Sequence, residues 1–148
     1  MAKLVKGDKF PDFTVDTHMK KGVKISQIVD GKPTALLVIR YIGCTVCRYD
    51  VHQIAVNYQK FVDRGLNVAV VMQSTAENVN KDLERTKETL PYPIVCDPEE
   101  KIYKELEILP AESMEALVGG DMAGLQAKGA RAAQRGYVHG EYEGNEQQ

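Results

Sequence analysis

The chain has 148 residues, of which 43% are hydrophobic and 27% charged, with a formal net charge of −2. That is an ordinary balance for one globular domain built on a single core. Charges of both signs are spread along it, with no basic stripe that would track nucleic acid and no long acidic block. The longest aliphatic run, Ala35–Ile39, is far short of the ~20 residues that cross a bilayer. Met1–Lys9 carries lysines with no apolar run behind them, so no secretory leader is expected and the cytoplasm is the expected compartment.

Gly7–Val15 contains Phe10, Pro11 and Phe13 and then alternates, which predicts a short opening strand or hairpin. Val23–Ile25 predicts a second short strand, and Ser26 is placed to cap a helical turn towards Asp30 before Gly31, Lys32 and Pro33 break the chain. Thr34–Ile42 then reads as a strand. Its apolar residues do not alternate, as expected of a central strand covered on both faces. Gly43 and Cys44 follow, and from about Thr45 to Asp63 the period becomes helical, with Cys47, Val51, Ile54, Ala55, Tyr58, Phe61 and Val62 on one stripe. Gly65 supplies a stop, and Leu66–Met72 is the next strand, completing a right-handed βαβ unit.

Ser74 and Glu77 have capping-box spacing ahead of an amphipathic helix marked by Val79, Leu83 and Leu90 and ending before Pro91. Pro93–Cys96 reads as a short strand. Asp97 and Pro98 read as an N-cap and first helical residue, opening a helix through Ile102, Tyr103 and Leu106 that stops near Leu109. Ala111–Val118 and Met122–Gln134 are further predicted helices, and Gly136–Gln148 is polar and rich in Gly and Glu. No repeat and no second-domain boundary is visible, so the chain is expected to be one domain over 1–148, with 111–148 a helical and polar C-terminal extension.

Cys44 and Cys47 stand in a C-x-x-C pair where a strand passes through Gly43 into a helix. Free N–H groups and the positive dipole end at a helix N-terminus favour a thiolate. A strand's C-terminal edge is also where open α/β sheets place their sites. Cys47 falls on the apolar stripe and is expected to face inward. Cys44, at the mouth of the helix, is then the more exposed sulfur and the attacking thiol, with Cys47 resolving. Arg48, four residues after Cys44, is expected to stabilise the thiolate. Zinc is the rival for a C-x-x-C pair, but there is no second pair and His18, His52 and His139 are scattered. No metal and no cofactor is expected.

The runs Gly7-Asp8-Lys9-Phe10-Pro11-Asp12-Phe13, Gly43-Cys44-Thr45-Val46-Cys47-Arg48 and Pro93-Ile94-Val95-Cys96-Asp97-Pro98 resemble the alkyl hydroperoxide reductase/thiol-specific antioxidant (AhpC/TSA) superfamily. The likeness is greatest to its peroxiredoxin-like branch with a C-x-x-C pair, from about Gly7 to Leu109. The resemblance implies an α/β thioredoxin-like fold, a central sheet with helices on both faces. It also implies reduction of peroxides, or of protein disulfides, through a cysteine cycle renewed by a thiol reductant such as a thioredoxin-type protein. It carries over Cys44 and Cys47 but assigns the nucleophile in two ways. By the peroxiredoxin pattern Cys47 holds the peroxidatic position and Cys44 that of a threonine; by the thioredoxin pattern the first cysteine attacks. The peroxiredoxin proline and threonine are absent, and no X-Pro bond follows Pro110. The chain therefore reads as shortened before the family's cis-proline strand, final hairpin and last helix. A missing hairpin would leave an unpaired sheet edge, so a homodimer or strand-exchanged oligomer is expected.

A thiol-dependent peroxidase is the leading function. A protein thiol–disulfide oxidoreductase and a non-catalytic redox-sensing or interaction protein are the alternatives. Cys96 reads as a buried strand cysteine, with a resolving role if it approaches Cys47. Arg40 reads as a strand-end charge that could reach the site, His52 as a solvated helix residue, and Tyr41 and Tyr49 as packing residues. Met114, Leu117, Val118, Met122 and Leu125 read as core or as an oligomer face.

Overall fold

A computed structural model of the chain describes residues 4–137. The polar C-terminal stretch seen in the sequence lies, from residue 138 on, outside the described residues. Five strands form one sheet: β1 (Thr14–Thr17), β2 (Val23–Lys24), β3 (Thr34–Val38), β4 (Asn67–Met72) and β5 (Ile94–Cys96), in the order β2-β1-β5-β4-β3. β3, β4 and β5 are parallel, while β1 runs antiparallel to β5 and β2. The helices are α1 (Ile25–Val29), α2 (Thr45–Val56), α3 (Tyr58–Val62), α4 (Ala76–Thr86), α5 (Lys101–Glu105), α6 (Met114–Leu117) and α7 (Met122–Gln134). No helix among the described residues is long and apolar enough to cross a membrane.

Apolar residues cover both faces of the sheet. On one, Val68, Val70 and Met72 of β4 pack with Val51, Val79, Leu83, Tyr92 and Ile94; on the other, Val71 packs with Val15, Ile25, Val95, Ile102 and Tyr103. β4 lies between β3 and β5 and is buried from Val68 to Met72.

β3 corrects the expectation of a central strand. It pairs only with β4 among the described residues, and every one of its residues is half-buried. An unbroken apolar run reports that both faces are covered, which β3 satisfies through Leu36 and Val38 on one core and Leu37 on the other. It carries no information on whether both edges are paired. The ladder carries on a little past Val38, with Ile39 N–H donating to Val71 O at 3.0 Å and Gln73 N–H to Arg40 O at 2.9 Å.

Four other boundaries shift for local reasons. The expected helix 45–63 breaks at Asn57, whose side-chain amide donates to Gln53 O at 2.8 Å and competes with the helical ladder. The cap of α4 is Thr75, accepting from Asn78 N–H at 3.1 Å. Ser74 instead accepts Ile42 N–H at 2.9 Å, and the helix ends at Lys87 in the left-handed region, before Leu90. Asp97 is not the N-cap of α5, which is Glu100, but its carboxylate reaches over the turn and accepts from Lys101 and Ile102 N–H at 2.9 and 2.8 Å. The helix begins only at Lys101, after a turn in which Glu100 adopts φ 58°. Ser26 is bound by Asp12, and Lys24 takes the N-cap position of α1.

Candidate active site

Cys44 is the N-cap of α2, with extended backbone at φ −81° and ψ 111°, and its Sγ accepts from Cys47 N–H at 3.4 Å. The turn before it is closed by Cys44 N–H donating to Tyr41 O at 3.1 Å and held to α4's entrance by the Ser74 hydroxyl. A sulfur is thus the side-chain acceptor that a helix N-terminus demands. One turn of helix brings the second sulfur back to the first. Cys44 Sγ and Cys47 Sγ lie 2.7 Å apart, both as free cysteines.

The two sulfurs are not equivalent. The hydrogen bond from Cys47 is the largest influence on Cys44 and lowers its pKa to about 7. Burial opposes the shift, and the Cys47 N–H and the Arg40 charge reinforce it. Cys47 is pushed the other way, by giving its proton to that hydrogen bond and by burial. These opposite shifts make Cys44 the sulfur that ionises first, with the Cys47 thiol placed to donate to it.

Exposure differs from the sequence expectation. Cys44 is 2% exposed and Cys47 7%, so Cys44 is not the more accessible sulfur. Tyr41, itself 1% exposed, packs against both together with Ile39 and Val46. Helix phase correctly turns Cys47 inward, but it says nothing about the 39–43 turn that also encloses Cys44.

Arg48 also departs from expectation. Its backbone N–H donates to Cys44 O at 2.8 Å, while its guanidinium leaves the cysteines for α4. There Nε pairs with Asp82, and Nη2 donates to Thr86 Oγ1 at 3.0 Å and Glu88 Oε1 at 2.7 Å. Tyr137's ring covers it, 4.4 Å from Cζ. Burial disfavours this charge, but Asp82 and Glu88 outweigh it and hold the arginine protonated. His52, expected to be solvated, joins the same network through Nδ1, 2.5 Å from Glu88 Oε2. Asp82 also receives Arg85 Nη2 at 3.2 Å. This cluster ties α2 to α4, and the charge among the main influences on Cys44 is that of Arg40.

The cation beside the thiolate is Arg40, whose Nη1 lies 3.9 Å from Cys44 Sγ. Its backbone N–H hydrogen-bonds Cys47 Sγ, so one residue touches both sulfurs. Its guanidinium also stacks on Tyr41, 5.2 Å from the ring centre. Cys96 stays apart from the pair. It packs in the core against Ile42 and Met72, points at Ile94 O at 3.6 Å, and is pushed up to about 12 by burial. Tyr49 Oη accepts from Gln53 at 3.0 Å. Met114, Leu117 and Met122 are exposed, so they are not core. Among the described residues no group of three or more His, Cys, Asp or Glu is arranged to hold a metal.

The profile of the AhpC/TSA family matches residues 6–131. The chain belongs to the AhpC/TSA family. Comparison with curated proteins returns no match. Among solved structures this AhpC/TSA chain is similar to a mutant of peroxiredoxin 6 of Arenicola marina, with TM-score 0.67 and 16% identity, covering 74% of this chain and 52% of that one. It is also similar to a yeast mitochondrial 1-Cys peroxiredoxin described for its thiol resolving mechanism through glutathione/thioredoxin systems, with TM-score 0.65 and 17% identity, covering 72% and 52%. A third similar structure is StoA of Bacillus subtilis, with TM-score 0.50 and 21% identity, covering 67% and 73%. At these identities the likeness shows the fold, the thioredoxin-like α/β fold expected from the sequence. The chain spans about half the length of the two peroxiredoxins, 52% in each case.

Proposed function

We propose that the protein is a thiol-dependent peroxidase in which Cys44 is the nucleophile and Cys47 the resolving thiol. The observation that carries this is the geometry of the pair, with Cys44 Sγ 2.7 Å from Cys47 Sγ and 3.9 Å from Arg40 Nη1, which favours ionisation of Cys44. The Cys44 thiolate attacks one peroxide oxygen and the O–O bond breaks. The Cys47 proton goes to the departing alkoxide or hydroxide, leaving Cys44 as a sulfenic acid beside a Cys47 thiolate. That thiolate attacks the Cys44 sulfur, and hydroxide leaves and is protonated by solvent. The sum is two thiols and a peroxide giving a disulfide, an alcohol or water, and water. A dithiol reductant of the thioredoxin type then restores the pair by exchange. The enclosure of both sulfurs favours a small peroxide over a protein disulfide, which needs in-line access to a sulfur.

The test is to treat the reduced protein with hydrogen peroxide and, separately, with oxidised insulin, following a Cys44–Cys47 linkage by mass spectrometry. Rapid linkage with peroxide supports a peroxidase. Linkage only with the disulfide substrate supports an oxidoreductase, and no linkage with either leaves a non-catalytic protein. The pH dependence has a definite sign. Because the Cys44 thiol is lowered to about 7, alkylation by uncharged iodoacetamide is expected to rise roughly tenfold between about pH 6 and about pH 8. Arg40→Gln is expected to move that midpoint up by about one unit, since it removes the nearby cation.

A homodimer through β3 belongs to the same proposal. Pro33 O and Ile39 N–H both bond β4, so by parity the backbone groups of Thr34, Leu36 and Val38 face the edge that no strand pairs among the described residues. An unpaired apolar edge is a template for a second strand. Light scattering is expected to show mass rising with concentration, with slower amide exchange at Leu36 and Val38. A monomer at millimolar concentration with fast exchange there rejects it.

A further inference from the structure

Tyr103 lies on α5, on the far side of β3 and β4 from the core that holds Val51 and Val79. Its ring packs with Val71, Val95 and Ile102, and a buried tyrosine of this kind needs a partner for its hydroxyl. The hydroxyl donates to Ile39 O, with Val71 O at 3.2 Å as a second acceptor. Ile39 O is not an isolated carbonyl. It belongs to the same planar peptide as the N–H of Arg40, and in a trans peptide the two point in opposite directions. That N–H hydrogen-bonds Cys47 Sγ. One peptide therefore has the Tyr103 hydroxyl at its oxygen end and the resolving sulfur at its nitrogen end.

We propose that the Tyr103 hydroxyl is a positioning group for the cysteine pair, acting through the Ile39–Arg40 peptide on Cys47. The inference rests on the thiolate chemistry proposed above for Cys44. The physical grounds are orientation and polarisation. Ile39 N–H is held by Val71 O at 3.0 Å and Arg40 O by Gln73 N–H at 2.9 Å, which fixes the chain on either side of this peptide. The remaining freedom is rotation of the 39–40 plane, and the tyrosine hydroxyl stops it. A hydrogen bond accepted at the carbonyl also makes the amide a better donor, by about 10–30% in condensed-phase estimates. A firmer N–H bond to Cys47 Sγ withdraws charge from that sulfur, which makes Cys47 a better donor to the Cys44 thiolate. Rotation of the same plane also carries Arg40, whose side chain reaches Cys44 Sγ. Tyr103 touches neither reacting atom in this scheme.

The test is the ionisation of Cys44, followed by thiolate absorbance or by alkylation rate across pH, in three proteins. Tyr103→Phe keeps the ring and removes the hydroxyl; its midpoint is expected to rise by about half a unit, roughly halving the thiolate present at pH 7. Ile102→Val, on the same helix and buried at 1% exposure, loses packing but no hydrogen bond. Its midpoint is expected to match the wild type even where its melting temperature falls. Site-specific 3-fluorotyrosine at position 103 is a stronger donor on the same ring, is independent of whether Tyr103→Phe folds, and is expected to shift the midpoint down. An unchanged midpoint in both position-103 variants overturns the proposal, as does an equal shift in Ile102→Val. A wild-type protein with no cysteine ionising below the ordinary thiol range overturns the Cys44 nucleophile as well. The two failures are therefore told apart by the wild-type curve alone.

Discussion

Replacing Cys44 by serine is expected to lower peroxide consumption by more than about a thousandfold, the scale of loss when a nucleophile that acts as part of a unit is removed. A serine hydroxyl is not ionised near neutral pH, so neither the hydrogen bond from Cys47 nor the Arg40 charge can make it nucleophilic. The remaining Cys47 cannot take over. Burial holds its thiol protonated, and in Cys44→Ser no neighbouring thiol is left to donate a hydrogen bond to its thiolate, so it gains none of the stabilisation that Cys44 receives from Cys47. Cys47→Ser gives the complementary result. The first oxidation of Cys44 persists with a higher midpoint, because a hydroxyl is a different donor at a different distance. The product stops at the sulfenic acid, which is trapped by dimedone and carries no disulfide. Equal loss in both variants before any sulfenic acid forms would remove the distinction between the two sulfurs. Full activity in Cys44→Ser would reverse the assignment in favour of Cys47.

The second large effect falls on stability and leaves the chemistry alone. Arg48 is 1% exposed, and its charge is balanced by Asp82 at 2% side-chain exposure and Glu88 at 15%. Arg48→Met keeps the length of the side chain but takes from the buried Asp82 its buried guanidinium partner, leaving it the half-exposed Arg85, and it removes the guanidinium from beneath Tyr137. Breaking one side of such a buried pair costs about 3–5 kcal/mol. For a domain of this size that lowers the melting temperature by roughly 10 °C. The Cys44 ionisation is expected to stay where it is, because the guanidinium of Arg48 is engaged by Asp82, Thr86 and Glu88 and is not among the main influences on Cys44. The double variant Arg48→Met/Asp82→Leu is expected to recover part of the loss by removing the stranded carboxylate. A shifted Cys44 midpoint in Arg48→Met, with stability intact, would restore the role that helix spacing suggests for this residue.

Helix spacing puts Arg48 on the face of Cys44, and as backbone geometry that is correct. An arginine side chain is long, however, and its destination is set by where the carboxylates are. Asp82 and Glu88 lie 34 and 40 positions further along the chain. A readable sign of them existed. On α4 an acid at position 82 sits on the same buried face as Val79 and Leu83, and an acid on an apolar face requires a cation. Arg40 was legible as a charge at the end of a strand. That it meets both sulfurs depends on the turn 41–43 and on Ser74 holding Ile42. The tyrosine at 103 fits the apolar face of its helix, and no local pattern shows that its hydroxyl ends on Ile39 O.

The amino-acid sequence by itself determined the βαβ order, the C-x-x-C pair at a helix N-terminus and the inward face of Cys47. Each of these follows from period, turn residues and capping over a few neighbouring positions. Only the tertiary structure decided that β3 pairs on one edge alone among the described residues, that both sulfurs are enclosed, and that Arg40 and not Arg48 is the cation at Cys44. Those outcomes depend on strands and side chains meeting across long sequence separations, where edge pairing and the reach of a flexible side chain leave no periodic mark.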